Sequence, residues 1–145
     1  MTIRREHWVL LAITAAGGRP LSPVQLQKSL FVLGREMCEA VGDGFYNFRP
    51  YNYGPFDSDV YADAEMLASR GLVNISQPWR WKEYAATPAG MREAEQVKGE
   101  APPAATAYLA KIVAWARSLS FQDLVRAIYA RYPDTRAKSI FEERN

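Results

Sequence analysis

The chain contains one histidine, His7, and one cysteine, Cys38, the two residue types that can form a nucleophilic pair. Such a pair needs a thiolate beside a base and a third group that orients the base. Cys38 comes late in the second predicted helix and His7 early in the first, and nothing orients them. We therefore expect a partly buried thiol, a surface histidine and no enzymatic activity. The spacing of these residues does not suit metal ligands, so no metal or other cofactor is expected.

Four carboxylates are concentrated in the third predicted helix, namely Asp57, Asp59, Asp63 and Glu65. Paired carboxylates perform acid–base catalysis only in a pocket that separates their pKa values. The pattern instead favours a solvated face, with the first two carboxylates near the positive helix N-terminus. Arg70 is the one basic residue in this segment. Because DNA phosphates would repel such a helix, the sequence disfavours DNA binding through it.

A stiff aromatic segment is the main candidate for a binding surface. It presents Tyr51, Tyr53 and Phe56 around Gly54 and Pro55. Pro55 fixes its own φ and disfavours helix at Gly54, while Gly54 permits conformations that other residues avoid. Aromatic side chains on a stiff loop lose little entropy on binding and are frequent interface anchors. The alternative is that the rings fold inward as a plug between the second and third helices, and both descriptions can hold for different rings.

A second candidate surface interleaves aromatic and cationic residues at Trp79, Arg80, Trp81 and Lys82. Such residues can stack on bases or bind a phosphate, which would suit a nucleic-acid contact. The alternative, which we favour, is that alternate residues pack inward while Arg80 and Lys82 are simply exposed.

Local start and stop signals predict the helices and strands that carry these residues. Ser22-Pro23 begins the second helix, which runs to about residue 40 and contains Gly34, where another backbone would come close. Asp57 or Ser58 begins the third helix and Gly71 ends it, Thr87-Pro88 begins the fourth, and Ser120 caps the last.

The first helix is predicted at 3–16, with an inward stripe of Trp8, Leu11, Ala12 and Ala15. An apolar stripe from Tyr108 to Leu119 and another from Phe121 to Tyr132 predict two more helices, and strands are predicted at 72–75 and 81–86. Residues 45–56 are expected to be irregular, residues 99–103 to form a linker, and residues 134–145 to fray or form a short helix.

The order of these elements predicts a mostly α (α+β) fold with a winged-helix-like core. Residues 72–86 would be a two-stranded β-wing, and the third helix would occupy the position of a recognition helix. We divide the chain into a core at 1–98 and a C-terminal helical extension at 99–145, packed together as a single domain. The long link between the second and third helices departs from the tight turn of the DNA-reading motif.

Composition narrows the classes of function. Residues 1–98 hold 11 basic and 11 acidic side chains, and residues 99–145 hold 7 and 5, which gives the net charge of +2. A nucleic-acid binder usually concentrates its basic residues on one face, and this chain does not. No apolar run is long enough to span a bilayer, and the N-terminus does not read as a signal peptide. A lone cysteine suits the reducing cytoplasm, where we place the protein.

Three short segments stand out together, namely LQKSLF at 26–31, YGPF at 53–56 and VY at 60–61. They resemble the Panacea (SocA-like) antitoxin domain family. The segment at 119–133 is similar to the tail of the related YwgA-like uncharacterised proteins. Together the resemblance covers roughly residues 22–140. It implies a small helical protein, often encoded beside a toxin or in a phage-related region, that acts by binding another protein.

The sequence thus predicts a non-enzymatic binding module whose partner is a protein, either a cognate toxin or a protease substrate that it delivers. The protein-binding residues would be Tyr51, Tyr53, Gly54, Pro55 and Phe56. The alternative function is that of a winged-helix DNA-binding transcriptional regulator, which would use the wing, with Trp79, Arg80 and Lys82 on the nucleic acid, together with the C-terminal basic residues Arg126, Arg131, Arg136 and Lys138. The apolar stripe of the last helix leaves a homodimer open as well.

Overall fold

The computed structural model describes residues 2–141, which form a mostly helical α+β structure with two small two-stranded antiparallel sheets. The elements in chain order are α1 (Arg5–Ala15), α2 (Pro23–Glu36), α3 (Cys38–Val41), β1 (Arg49–Tyr51), β2 (Gly54–Phe56), α4 (Ser58–Ser69), β3 (Val73–Ser76), β4 (Glu83–Ala86), α5 (Pro88–Glu100), α6 (Pro103–Ser118) and α7 (Phe121–Arg131). A 3₁₀ turn at Pro133–Arg136 follows. The prediction for the last residues, 142–145, lies outside the described part of the chain.

Helix α1 lies at the centre of the molecule. It contacts α2, α4, α5, α6 and β4, and every residue from His7 to Thr14 is buried. A helix that is apolar on all sides is enclosed by other elements. The predicted single inward stripe was therefore wrong for this helix, and Ala15, expected to face the core, is exposed.

The predicted starts of α2, α4, α5 and α7 are confirmed, because each of these helices has a side-chain cap within a few residues. Ser22 accepts a hydrogen bond from the Gln25 amide at 3.2 Å, and Pro23 follows it in the first turn of α2. Asp57, Thr87 and Ser120 cap α4, α5 and α7 in the same way. Such caps satisfy amides that the helix itself leaves without a partner.

The second predicted helix is divided in two, since α2 ends at Glu36 and α3 begins at Cys38. Gly34 was expected to let another backbone come close, and the neighbour is instead an aromatic ring. A Cβ at Gly34 would lie 2.7 Å from Cε2 of Phe45. The glycine thus makes room for the aromatic segment that follows α3.

Two further predictions were wrong at the level of secondary structure. The aromatic segment is not irregular, because β1 and β2 pair as a hairpin in the register Arg49↔Phe56, Pro50↔Pro55 and Tyr51↔Gly54. Residues 99–103 are not a linker, because α5 continues to Glu100 and α6 begins at Pro103. Ala101, between the two helices, is buried.

The second sheet closes against the start of α2. Strands β3 and β4 pair in the register Val73↔Ala86 to Ser76↔Glu83. Leu21 adds a short antiparallel bridge to Tyr84, with hydrogen bonds of 2.8 and 2.9 Å in the two directions. Leu21 and Tyr84 are both buried, so this bridge ties the second hairpin to the helical core. None of the helices between residues 2 and 141 combines the length and the apolar character needed to cross a membrane.

Candidate functional site: an aromatic groove over a buried lysine

Helix α2 holds the first hairpin through two polar side chains. The Gln27 side chain donates to the Asp57 carbonyl at 2.8 Å and accepts from the Asp57 amide at 3.1 Å. The side-chain amine of Lys28 donates a hydrogen bond to the Pro55 carbonyl oxygen at 3.1 Å. Two of the segments that carry the family resemblance, at 26–31 and 53–56, are therefore in direct contact.

Gly54 is required by both conformation and space. Its φ of 111° lies in a region that L side chains rarely adopt. A Cβ at this position would also lie 3.1 Å from Cε of Lys28 and 3.6 Å from Cε1 of Tyr129. The hairpin can approach α2 this closely only because residue 54 has no side chain.

The predicted binding residues are divided between inside and outside. Gly54 and Pro55 are buried, Tyr51 and Tyr53 are exposed, and Phe56 is half-buried. The Phe56 ring stacks on Tyr51 with centroids 5.1 Å apart. The hairpin thus buries its backbone against α2 and presents two tyrosine rings outward.

These rings line a groove of about 710 Å³, which we call the aromatic groove. Tyr61 of α4, Trp81 before β4 and Phe121 of α7 complete its aromatic lining. Phe121 was predicted to belong to the buried stripe of the last helix, yet it is exposed and packs edge-on to Tyr53 at 5.2 Å. Rings from separate elements therefore converge on one surface.

Lys28 lines the same groove and is only 3% exposed. Burial, the only cause of the shift, lowers the pKa of its amine to about 7. Among residues 2–141 no carboxylate forms an ion pair with it. It is also the only residue of acidic or basic type that lines the groove within this part of the chain.

The turn of the first hairpin is also held from the C-terminal side. The Ile140 amide and the Ser139 hydroxyl both donate to the Asn52 carbonyl, at 2.9 and 3.3 Å. The Phe141 ring lies 6.4 Å from Phe121 between centroids. The rim of the aromatic groove therefore receives contacts from residues far away in the sequence.

The second candidate surface is the tip of the β3–β4 hairpin, which we define by Trp79, Arg80 and Lys82 and call the hairpin tip. Alternate residues do not pack inward as expected, because β4 begins only at Glu83. Trp79 is 68% exposed and Trp81, which lines the groove, is 53% exposed. The Arg80 guanidinium lies 5.7 Å from the Trp79 ring, and Lys82 lies 3.5 Å from a carboxylate oxygen of Glu65.

The expected solvated face of α4 is present at Asp59 and Glu65, whose side chains are 54% and 62% exposed, whereas Asp63 is 14% exposed. Arg5 of α1 pairs with Asp59 at 3.2 Å and with Asp63 at 3.0 Å. The Tyr46 hydroxyl donates to Asp63, and burial together with this bond raises the pKa of Tyr46. Asp57 is used as the cap of α4 and accepts from the Asp59 amide at 2.9 Å. Asp57 and Asp63 thus have structural partners, whereas Asp59 and Glu65 remain on a solvated face.

His7 and Cys38 occupy the opposite environments to those expected. His7 is buried, its Nδ1 accepts from the Arg4 amide at 2.9 Å, and burial lowers its pKa. Cys38 is exposed at the start of α3. No hydrogen bond joins the two among the described residues, and no group of three or more potential metal ligands occurs within residues 2–141.

The sequence-based predictions missed Lys28 and Phe121 as site residues, and they assigned Trp81 to the second candidate surface instead of the groove. The sequence carried one usable signal for Lys28, namely its place in the LQK segment. Nothing local indicated that a hairpin would cover it. Trp81 and Phe121 line the same groove only through the packing of elements 40 positions apart in the sequence.

Comparison of the chain with family models, with curated proteins and with solved structures finds no match. The resemblance to the Panacea family therefore stays a prediction, carried by the segments at 26–31, 53–56 and 60–61.

Proposed function

We propose that the chain is a non-enzymatic protein-binding module and that the aromatic groove is its contact surface. One observation carries the proposal: exposed rings from separate elements, Tyr53, Trp81 and Phe121, line the same groove. Scattered exposed aromatic residues need no explanation, whereas a contiguous set of them is typical of an interaction site.

The physical properties of this surface suit a protein partner. Tyrosine and tryptophan provide large contact areas with few rotatable bonds, so they lose little entropy when they are immobilised. The rings are also held before binding, since Tyr53 packs on Phe121 and Tyr51 stacks on Phe56. A preorganised surface of this kind keeps more of its contact energy as affinity.

The resemblance to the Panacea antitoxins would make the partner a cognate toxin or a protein that the module delivers to a protease. Binding would neutralise a toxin by covering its surface. It would act on the other kind of partner by bringing that protein to the protease. Neither mode requires a cofactor. The reducing cytoplasm is the compartment we propose, since the one cysteine has no partner for a disulfide.

The test is co-expression with the protein encoded beside this chain, followed by affinity purification. The variant Tyr53→Ala with Phe121→Ala should lower the recovered partner at least about tenfold, because such anchors each contribute more than 1 kcal/mol. Trp79→Ala is the matched control, since it removes an exposed ring outside the groove. The proposal fails if no partner is recovered, or if the double variant recovers as much as the wild type.

A second candidate function is DNA binding by a winged-helix core. The order α1, α2, α4, β3, β4 and the bridge from Leu21 to Tyr84 support the winged-helix interpretation. The exposure of Trp79, Arg80 and Lys82 at the hairpin tip favours a nucleic-acid contact there. The carboxylates of α4 oppose it, because that helix would approach phosphates.

A mobility-shift assay with duplex DNA separates the two functions. DNA binding through the hairpin tip should fall steeply with salt and should weaken in Arg80→Ala with Lys82→Ala. The groove variant Tyr53→Ala should leave it unchanged. Absence of binding at low salt would exclude this second function.

A further inference from the structure

The aromatic groove contains an amine that has no carboxylate partner among residues 2–141. Lys28 is buried, and its one hydrogen bond within this part of the chain goes to the neutral carbonyl of Pro55. A lysine ammonium carries three donors, so two remain for a ligand. An unpaired buried charge is costly, and an entering anion removes that cost while it gains a charge-assisted hydrogen bond.

The side chains that line the groove indicate what chemistry the rest of the ligand should have. They are mainly aromatic and aliphatic, with Tyr53, Phe121 and Leu124 on one part of the lining. The other titratable groups that line it are the phenols of Tyr51, Tyr53 and Tyr61, so no acidic side chain there competes for Lys28. The site therefore combines an apolar wall with one buried positive charge.

We propose that the groove binds a peptide segment of the partner through an acidic side chain that pairs with Lys28, with apolar neighbours packed on the rings. This rests on the proposed protein-binding function. A peptide backbone drawn into an apolar groove would leave its own amides and carbonyls unsatisfied. An aspartate or glutamate side chain brings in only a short methylene stem and the anion, so the backbone can stay at the rim.

The experiment uses the full chain, immobilised, and synthetic pools of short peptides with acetylated and amidated ends. The pools are identical except for a central Glu or a central Gln, and all other positions are apolar or uncharged. At about pH 6, where lysine is protonated, the wild type should retain the Glu pool about tenfold better than the Gln pool. A third pool has no acidic residue but a free C-terminal carboxylate, and it should bind no better than the Gln pool.

Two variants test the role of Lys28. Lys28→Met keeps the apolar stem and removes the charge, so it should retain the Glu and Gln pools equally. Lys98→Met is the control, because Lys98 is exposed on α5 and pairs with Glu95 outside the groove. It should keep the full preference for Glu, and thermal unfolding of each variant verifies that it is folded.

The wild type alone provides a second measurement, which does not depend on how Lys28→Met folds. Since burial lowers the pKa of Lys28 to about 7, the preference for the Glu pool should disappear between about pH 6 and about pH 9. Glutamate is ionised throughout this range, so its own titration cannot cause the loss. A preference that persists at the higher pH would contradict the pairing.

The possible failures are distinguishable. Equal retention of the Glu and Gln pools by the wild type overturns the acidic ligand and leaves a purely apolar peptide groove. Selective retention of the pool with a free terminus would mean that Lys28 pairs with a C-terminal carboxylate and not with an acidic side chain. Retention of none of the pools counts against peptide binding in this groove, and hence against the proposed function as well.

Discussion

The aromatic groove and the hairpin tip contain the same kinds of side chain in opposite settings. In the groove the cation, Lys28, is buried beneath aromatic rings and has no acidic partner among residues 2–141. At the hairpin tip Lys82 is exposed and lies 3.5 Å from Glu65, while the Arg80 guanidinium lies 5.7 Å from the centre of the Trp79 ring. Similar composition has therefore produced a preorganised site in one region and a solvated surface in the other.

The difference between the two regions lies in their surroundings. An exposed cation is solvated and screened by salt, so its ion pairs contribute little to stability. A buried cation loses its hydration, and its energy then depends on what the folded chain or a ligand places beside it. Burial makes Lys28 a residue whose charge state can change near neutral pH, which does not follow from its residue type.

The largest effect is expected from the glycines that shape the two hairpins. Gly54→Ala places a Cβ 3.1 Å from Lys28 at a φ of 111°, whereas Gly71, before β3, has a φ of 78° and open space around it. Gly54→Ala should lower the free energy of unfolding by about 3 kcal/mol, and Gly71→Ala by about 1 kcal/mol. Denaturant titration of both variants measures this. Equal losses would mean that contact with Lys28 contributes nothing.

The next effect is a pH dependence that belongs to the groove alone. The pKa of Lys28 is lowered to about 7 in the folded state and lies near 10.4 in an unfolded chain. Between these values the unfolded state binds more protons, so stability rises with pH. From about pH 7 to about pH 9 the wild type should gain about 2 kcal/mol relative to Lys28→Met.

Denaturant titrations at both pH values measure this gain, with Lys82→Met as the matched variant of the hairpin tip. Lys82→Met should follow the wild type, because this lysine is exposed. A constant difference between wild type and Lys28→Met would show that Lys28 is not shifted.

A smaller effect is expected on ligand binding by the aromatic rings of the groove, compared with the ring of Trp79 at the hairpin tip. An anionic naphthalene-sulfonate dye has the aromatic body and the negative group that the groove should accept. Tyr53→Ala should weaken its binding by about 1 kcal/mol, or several-fold, because one wall of the groove is lost. Trp79→Ala should leave the dye affinity unchanged. Fluorescence titration measures both, and an equal loss in Trp79→Ala would place the dye elsewhere.

The smallest effect is expected at the ion pair of the hairpin tip. Lys82 and Glu65 are both exposed and 3.5 Å apart, so the pair should contribute less than about 0.5 kcal/mol. A double-mutant cycle of Lys82→Met and Glu65→Gln measures this coupling, and added salt should reduce it further. A coupling above about 1 kcal/mol would contradict the view that the hairpin tip is a solvated surface.

Local sequence signals correctly predicted where four of the helices begin. Ser22, Asp57, Thr87 and Ser120 cap the helices that they were expected to cap, and Gly71 follows α4 with a φ of 78°. These signals work because capping and turn formation involve residues within a few positions of one another. The aromatic segment at 51–56 was likewise recognised as unusual from its residue types alone.

Which of these residues line one groove depends on tertiary packing, which local patterns do not contain. The sequence predicted Lys28 as part of a helix, and its burial follows from a hairpin that begins 21 positions later. Trp81 and Phe121 join the groove for the same reason, and His7 is buried because other elements enclose α1. Local patterns report the conformation of a few residues, whereas burial, and with it the pKa of Lys28, depends on what the rest of the chain packs against them.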